Sequence, residues 1–319
     1  MATRVDTVRV AVVGAGHVGA TFAFALVLSG VASDIVLVDA DTARAEGEAM
    51  DLDHAIPYGR PARVHAGGID ACAGADVVVL TAGAGQSSPG ETRLDLAARN
   101  VALFRGLVPE IARYAPDAVL VVATNPVDVL TLATLRLSGF PPARVIGSGT
   151  ILDTARLRFL LGRHFGVEAR SVHANVVGEH GDSEVVVWST ANIAGVPIRE
   201  LCHAGTQGCG PEERAEIARQ TRDAAYDIIQ RKGHTAYAIG AGLVRLVEAV
   251  VRDQKTVLSV STLQEGPYGL SNVCLSLPTV IGRGGAERVL PLPLEPDEQA
   301  ALLRSAATIR EAGAAVGIA

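Results

Sequence analysis

Lysine is nearly missing from this 319-residue sequence: only Lys232 and Lys255 occur, and arginine carries almost all the positive charge. With the abundance of alanine, this reads as a bias of genome composition and says nothing of function. There is no block of like charge either, and the formal net charge is −6. A polyanionic partner such as nucleic acid is therefore not expected. Cysteine is scarce, with Cys72, Cys202, Cys209 and Cys274 scattered outside any C-x-x-C spacing. That excludes a disulfide framework and a zinc site, leaves no metal to expect, and fits a reducing, cytoplasmic compartment. Charged residues make up only 19% against 49% apolar, so the chain can bury a sizeable core, and its length allows two ordinary domains.

A long apolar run is almost supplied by residues 10–33, which hold no charge beyond that of His17. Arg4 and Arg9 precede it, and Val31-Ala32-Ser33 resembles a small-residue cleavage site, so a signal peptide or membrane helix has to be weighed. Gly14, Gly16, Gly19 and Gly30 interrupt the run, and it divides into a β-branched half and a helical half. The reading taken is a folded segment of a protein without membrane association.

Residues 8–13 are a β-branched stretch suited to a strand buried on both faces. Gly14-Ala15-Gly16-His17-Val18-Gly19 follows, then an apolar helix over 20–29. The spacing G-x-G-x-x-G between strand and helix is a dinucleotide fingerprint. Its first glycine makes the turn, the second lets backbone reach a pyrophosphate, and the third lets helix pack on strand. A second strand, 35–38, ends in Asp39, 20 positions beyond Gly19. There a carboxylate accepts hydrogen bonds from a ribose 2′-OH and repels a 2′-phosphate, which favours NAD over NADP. The competing role for Asp39 is the N-cap of a helix beginning near Thr42.

Further strands are expected over 76–81, 119–123 and 145–147, separated by helices over about 41–55, 95–114 and 127–138. Such alternation signifies a doubly wound parallel α/β sheet, with ligands at the carboxyl ends of the strands. Gly14, Asp39, Gly83 and Asn125 all fall at such ends. From about residue 150 the character changes. A helix over 151–165 precedes mixed strand patterns at about 185–191, 257–263 and 273–281 and two long helices at about 212–231 and 296–312. The expectation is a dinucleotide-binding domain of residues 1–149 and a mixed α/β substrate domain of residues 150–319.

Residues 172–184 read V-H-A-N-V-V-G-E-H-G-D-S-E, with His180 between Gly178-Glu179 and Gly181-Asp182. Imidazole titrates near neutrality, so a histidine between glycines and acids is suited to proton transfer. Upstream, Asp153 and Arg156 are three apart and share a helix face, for which a surface salt bridge is the plain reading. Arg158 points elsewhere on that helix. The stretch 83–92, small and polar and broken by Pro89, reads as a lid whose far edge carries Arg93.

Asn125-Pro126, Leu152-Asp153-Thr154-Ala155-Arg156 and Gly178-Glu179-His180-Gly181-Asp182-Ser183, in that order behind the glycine fingerprint, resemble the L-lactate and malate dehydrogenase family. The resemblance implies an N-terminal Rossmann domain and a reversible, NAD-dependent reduction of a 2-keto acid. It makes His180 the proton donor and acceptor, and Asp153 the carboxylate that orients and stabilises its imidazolium. Arg156 would grip the substrate carboxylate as a two-pronged fork. Asn125 would bond near the substrate oxygen, and Arg93 would close in to polarise the carbonyl. Cofactor contacts are implied at Val18, Ala84, Ala123 and Ser148 beside those already named. Gln86 stands where the malate enzymes carry arginine, so the resemblance points to pyruvate and L-lactate; the loop looks one residue longer than usual, which leaves Ser87 as the alternative. Thr235 would close the pocket over the methyl end. Arg158 and His173 match the positions where bacterial lactate-type members bind fructose 1,6-bisphosphate between subunits, which implies a homo-oligomer, a tetramer of two-fold pairs.

Overall fold

Alternate residues of the first β-branched run face opposite cores. In β1 (Arg9–Val13), Val10 and Val12 pack into one apolar cluster, while Ala11 and Val13 pack into another. A strand buried on both faces must lie inside a sheet covered by helices on each side. The computed structural model describes residues 7–84, 93–201 and 210–318.

The helical half of the same run is α1 (His17–Ser29), which buries Gly19, Phe22, Ala23, Leu26 and Val27 at helical spacing. Residues 10–33 are thus a strand and a helix in the core. No described helix is long and apolar enough to cross a membrane. The alternation continues through β2 (Asp34–Val38), α2 (Thr42–Ala55), β3 (Arg63–Gly67), β4 (Val77–Leu80), α3 (Arg93–Tyr114), β5 (Val119–Val122), α4 (Val127–Ser138) and β6 (Val145–Gly147). These six strands are parallel and ordered β3-β2-β1-β4-β5-β6. The order reverses between β1 and β4, and a crevice for a ligand opens at their carboxyl ends.

The chain then runs through α5 (Ile151–Phe165), β7 (Val172–Val177), β8 (Val185–Ile193), β9 (Val196–Pro197), α6 (Ile198–Leu201), α7 (Pro211–Lys232), α8 (Tyr237–Val251), β10 (Thr256–Gln264), β11 (Val273–Gly282), β12 (Gly285–Val289) and α9 (Pro296–Ala315). Strands β7, β8 and β9 make a small antiparallel sheet, while β10, β11 and β12 extend the large one. The joint is one antiparallel pairing, Ser261 with Gly147.

Several elements differ from the pattern read in the sequence. β3 is a short edge strand, RVHAG, with little apolar signal. Among the described residues, the second half has four helices of 15 residues or more, α5, α7, α8 and α9, where the periodicity indicated three. The extra one, α8, is apolar along most of its length and contains Gly240 and Gly242, which hide it from a reading that treats glycine as a helix breaker. Gly240 is there for contact: a Cβ would meet Thr21 Cγ2 at 3.0 Å and the Phe22 nitrogen at 3.4 Å, so its absence lets α8 lie close against α1. Leu243, Leu246, Val247 and Val250 of α8 join the same apolar cluster as β1 and α1.

Candidate active site

At the carboxyl end of β1 the chain turns at Gly14, whose φ of +108° belongs to glycine and whose Cβ would meet the Ala82 nitrogen at 2.3 Å. Gly16 is different. Its backbone is extended at φ −74°, and a Cβ there would meet nothing within 4 Å. The protein's own packing therefore does not require glycine at 16, and a side chain would project only into the cradle. Behind it, α1 begins without a side-chain cap and without an acid in its first turn, so its leading N–H groups stay directed at the crevice. Val18 and Gly19 lie in that first turn. These features fit a pyrophosphate.

Asp39 follows β2, and its two oxygens accept from the backbone N–H groups of Ala15 (2.6 Å) and Asp41 (2.9 Å). A carboxylate retains acceptor capacity beyond two bonds. The N-cap of α2 is Asp41, which accepts from the Arg44 N–H, and so the competing role for Asp39 is already filled. Gly83 and Ala84 follow β4, Ala123 and Asn125 follow β5, and Ser148 follows β6, all around the one crevice. A buried side chain that the sequence did not single out ties two of these turns together. Asn100 accepts from the Ala84 N–H (2.8 Å) and donates to the Asn125 carbonyl (2.8 Å). The Asn125-Pro126 peptide bond is cis.

The His180 end of the crevice is built by α5 and β7. Thr150 Oγ1 donates to the Val176 carbonyl (2.6 Å) and Thr154 Oγ1 accepts from the Val176 N–H (3.1 Å), which clamps the strand to the helix. Asp153 is thereby set beside the loop leaving β7. Its Oδ2 lies 2.5 Å from His180 Nδ1, and its Oδ1 accepts from Arg156 Nη1 at 2.8 Å. Asp153 is only 1% exposed, so the surface salt bridge is excluded. Burial by itself would raise the Asp153 carboxyl, but the His180 and Arg156 charges outweigh it and hold it below the ordinary range. For His180, burial opposes the charged ring, yet the Asp153 carboxylate, helped by Asp128, lifts it from 6.5 to about 9. The imidazolium is the resting form at neutral pH.

Two more acids surround this histidine. Asp128, near the start of α4, accepts from the His180 N–H through Oδ2 at 2.8 Å and is 3% exposed. Glu184 is pushed to about 8, first by burial and then by the Asp153 charge, and its Oε1 is buried with no partner among the described residues. Neither was singled out in the sequence. Ser183, Glu179 and Ser305 bond to one another and fix the rest of the loop.

Thr235 sits half-buried just before α8, and its neighbour His234 stacks on His17 of the glycine fingerprint with ring centroids 3.9 Å apart. Arg93 opens α3. Gln86 and Ser87 lie outside the described residues. Arg158 turns away from His180, as its place on α5 requires, and its Nε donates to the Ala174 carbonyl at 3.0 Å. It has no acid partner among the described residues, and burial lowers its proton affinity. His173, next to Ala174, is exposed.

The comparisons agree in both halves. A model of the lactate/malate dehydrogenase NAD-binding domain matches residues 8–147, and a model of the alpha/beta C-terminal domain of the same family matches 150–316. An L-lactate dehydrogenase of Acetivibrio thermocellus is 50% identical over 303 residues, covering 95% of each chain. One of Synechococcus is 50% identical over 300 residues, covering 94% of this chain and 96% of that protein. A minor L-lactate dehydrogenase from Enterococcus mundtii, solved in a ligands-bound form, superposes with a TM-score of 0.93 at 37% identity, covering 97% of this chain and 98% of its own.

Proposed function

The chain belongs to the lactate/malate dehydrogenase family, with an NAD-binding first half, and on that premise we propose that it interconverts pyruvate and L-lactate. The observation that carries the reading is the unbroken series His180–Asp153–Arg156, joined at 2.5 and 2.8 Å on a clamped helix and strand. NAD, when bound, supplies or accepts the hydride. His180 supplies the proton from the ring nitrogen opposite Asp153, and Asp153 stabilises the imidazolium until it does so. Arg156 holds the substrate carboxylate, and the bond to Asp153 fixes the plane of its guanidinium. Asn125 aligns the reacting oxygen, while Arg93 arrives with the loop before α3 and polarises the carbonyl. Closure removes water and strengthens each of these charge interactions. An NAD-binding sensor would need the glycine cradle and Asp39, and no buried His180–Asp153–Arg156 series.

Pyruvate is the proposed substrate because no positive charge precedes Arg93 in residues 84–92, and Gln86 or Ser87 stands where malate enzymes of the family carry arginine. A second carboxylate, as in oxaloacetate, would be left unpaired in a dry site, which disfavours malate dehydrogenase activity. Thr235 closes the methyl end. Fructose 1,6-bisphosphate is the proposed activator, bound by Arg158 and His173 from paired subunits of a homotetramer. Arg158, with no acid partner among the described residues, beside an exposed His173, supports an anion site better than the ion pair and buried histidine that would otherwise explain them. α5 and β7 link that patch to Arg156 and His180. The scattered cysteines fit a reducing, cytoplasmic compartment, and a place in fermentative glycolysis follows only from the proposed pyruvate–lactate interconversion.

One set of kinetics tests the reading: NADH oxidation with pyruvate and with oxaloacetate, each with and without the bisphosphate. Pyruvate should be preferred by about a hundredfold or more in kcat/KM, and the bisphosphate should lower its KM. Comparable kcat/KM for the two acids would refute the substrate assignment. An unchanged KM would refute the effector assignment.

A further inference from the structure

His180 is held from two sides, and only one of them is its ring. Asp153 on α5 meets Nδ1, whereas Asp128 on α4 meets the backbone N–H of the same residue at 2.8 Å. Asp128 is 3% exposed and gives only one oxygen to that bond. Its Oδ1 and the Ser261 hydroxyl of β10 are buried together with no other partner among the described residues, and that hydroxyl favours the ionised carboxyl. A buried carboxylate is poorly explained as a structural bond to that N–H, which an uncharged asparagine would make as well.

We infer that Asp128 is a positioning residue whose negative charge keeps the proton on His180, and so sets the pH at which the site stops accepting a keto acid and starts accepting a hydroxy acid. The inference rests on His180 being the proton donor. Reduction needs the imidazolium and oxidation needs the neutral ring, so the proton affinity of His180 decides which substrate finds the correct partner. The groups acting on His180 are Asp153 and Arg156 from α5, Asp128 from α4, and Glu184 from its own loop, with Arg222 of α7 acting on Glu184. Those acting on Asp128 are Ser261 of β10 and Glu179 and His180 of the loop, while Cys274 of β11 feels its charge in turn. Burial pushes the Asp128 carboxyl from 3.8 to about 6, so its charge is present at neutral pH, where it matters. The charge disappears only in acid, where the ring is protonated in any case. Because this carboxyl is raised on folding, its ionised form costs stability above about pH 6 and does not contribute to it.

Asp128→Asn keeps an acceptor for the His180 N–H and removes the charge. In the cofactor-free protein, NMR titration of the His180 ring should show its midpoint lowered by about one unit, a tenfold loss of proton affinity. The rise of pyruvate KM with pH should move down by the same amount, and the melting temperature should be held or raised. Asp128→Ser, another uncharged residue with an acceptor for that N–H, should lower the same midpoint by a similar amount. An unmoved His180 midpoint in Asp128→Asn overturns the inference, and so does an unmoved midpoint in Asp128→Ser should the first variant not fold. A lowered melting temperature with an unmoved midpoint would reduce Asp128 to a structural bond. If His180→Asn kept full activity, the reading of His180 would fail instead, whatever Asp128 did to the ring.

Discussion

At the cofactor end of the crevice the facing surface is backbone: glycines 14 and 16, the first N–H groups of α1, and one carboxylate bonded to the Ala15 N–H. At the His180 end it is charge: Asp153, Arg156, His180, Asp128 and Glu184, four of them with proton affinities moved by burial and by one another. The first end works by leaving side chains out, so a ligand can come close. The second works by forcing side chains in, so that each can be stable only beside the others. An added methyl group should therefore harm the first and a changed charge the second, with little crossing between them.

The largest expected effect tests that separation at the charged end. His180→Asn should lower kcat by roughly 10²–10⁴-fold, the usual contribution of a positioned acid–base group. NADH affinity, measured by fluorescence quenching, should stay unchanged. If NADH binding fell in step with kcat, the two ends would not be independent. Arg156→Lys should do less, raising pyruvate KM by about tenfold as a point charge replaces the fork, with NADH affinity again intact. At the backbone end, a pair of alanine substitutions sharpens the contrast. Gly14→Ala, at φ +108°, should cost about 1–3 kcal/mol of stability and weaken NADH binding. Gly16→Ala should leave stability within about 0.5 kcal/mol and still weaken NADH binding. Calorimetric melting with NADH titration separates the two. Equal loss of stability in both would show that Gly16 serves the fold and not the ligand.

The backbone end was the more legible in the sequence, because its parts are contiguous. Strand, G-x-G-x-x-G, helix and Asp39 follow one another, and their spacing alone specifies the geometry. The charged end was legible only where it coincides with short motifs. His180 sits among glycines and acids, and Asp153 and Arg156 share a helix face. Asp128 was missed for a physical reason: an acid in the first turn of a helix is ordinary there, favoured by the helix dipole. Its partner His180 is 52 positions away, so neither its burial nor its bond leaves a local trace. Asn100 is a polar residue inside α3 whose two partners lie in separate turns. Likewise the glycines of α8 look like breaks until α1 is placed against them. What the sequence conceals is mainly what depends on contact between distant segments.

The single pairing of Ser261 with Gly147 joins the last three strands of the large sheet to the first six. The two halves of this chain are consequently not exchangeable modules. A polypeptide ending after β6 would present a raw sheet edge to solvent, the template on which foreign strands add and precipitates grow. It would also strip α1 of α8, uncovering apolar surface that is sealed in the whole molecule. The seam between the two halves is thus one that a gene fusion or a protease cut cannot open cleanly.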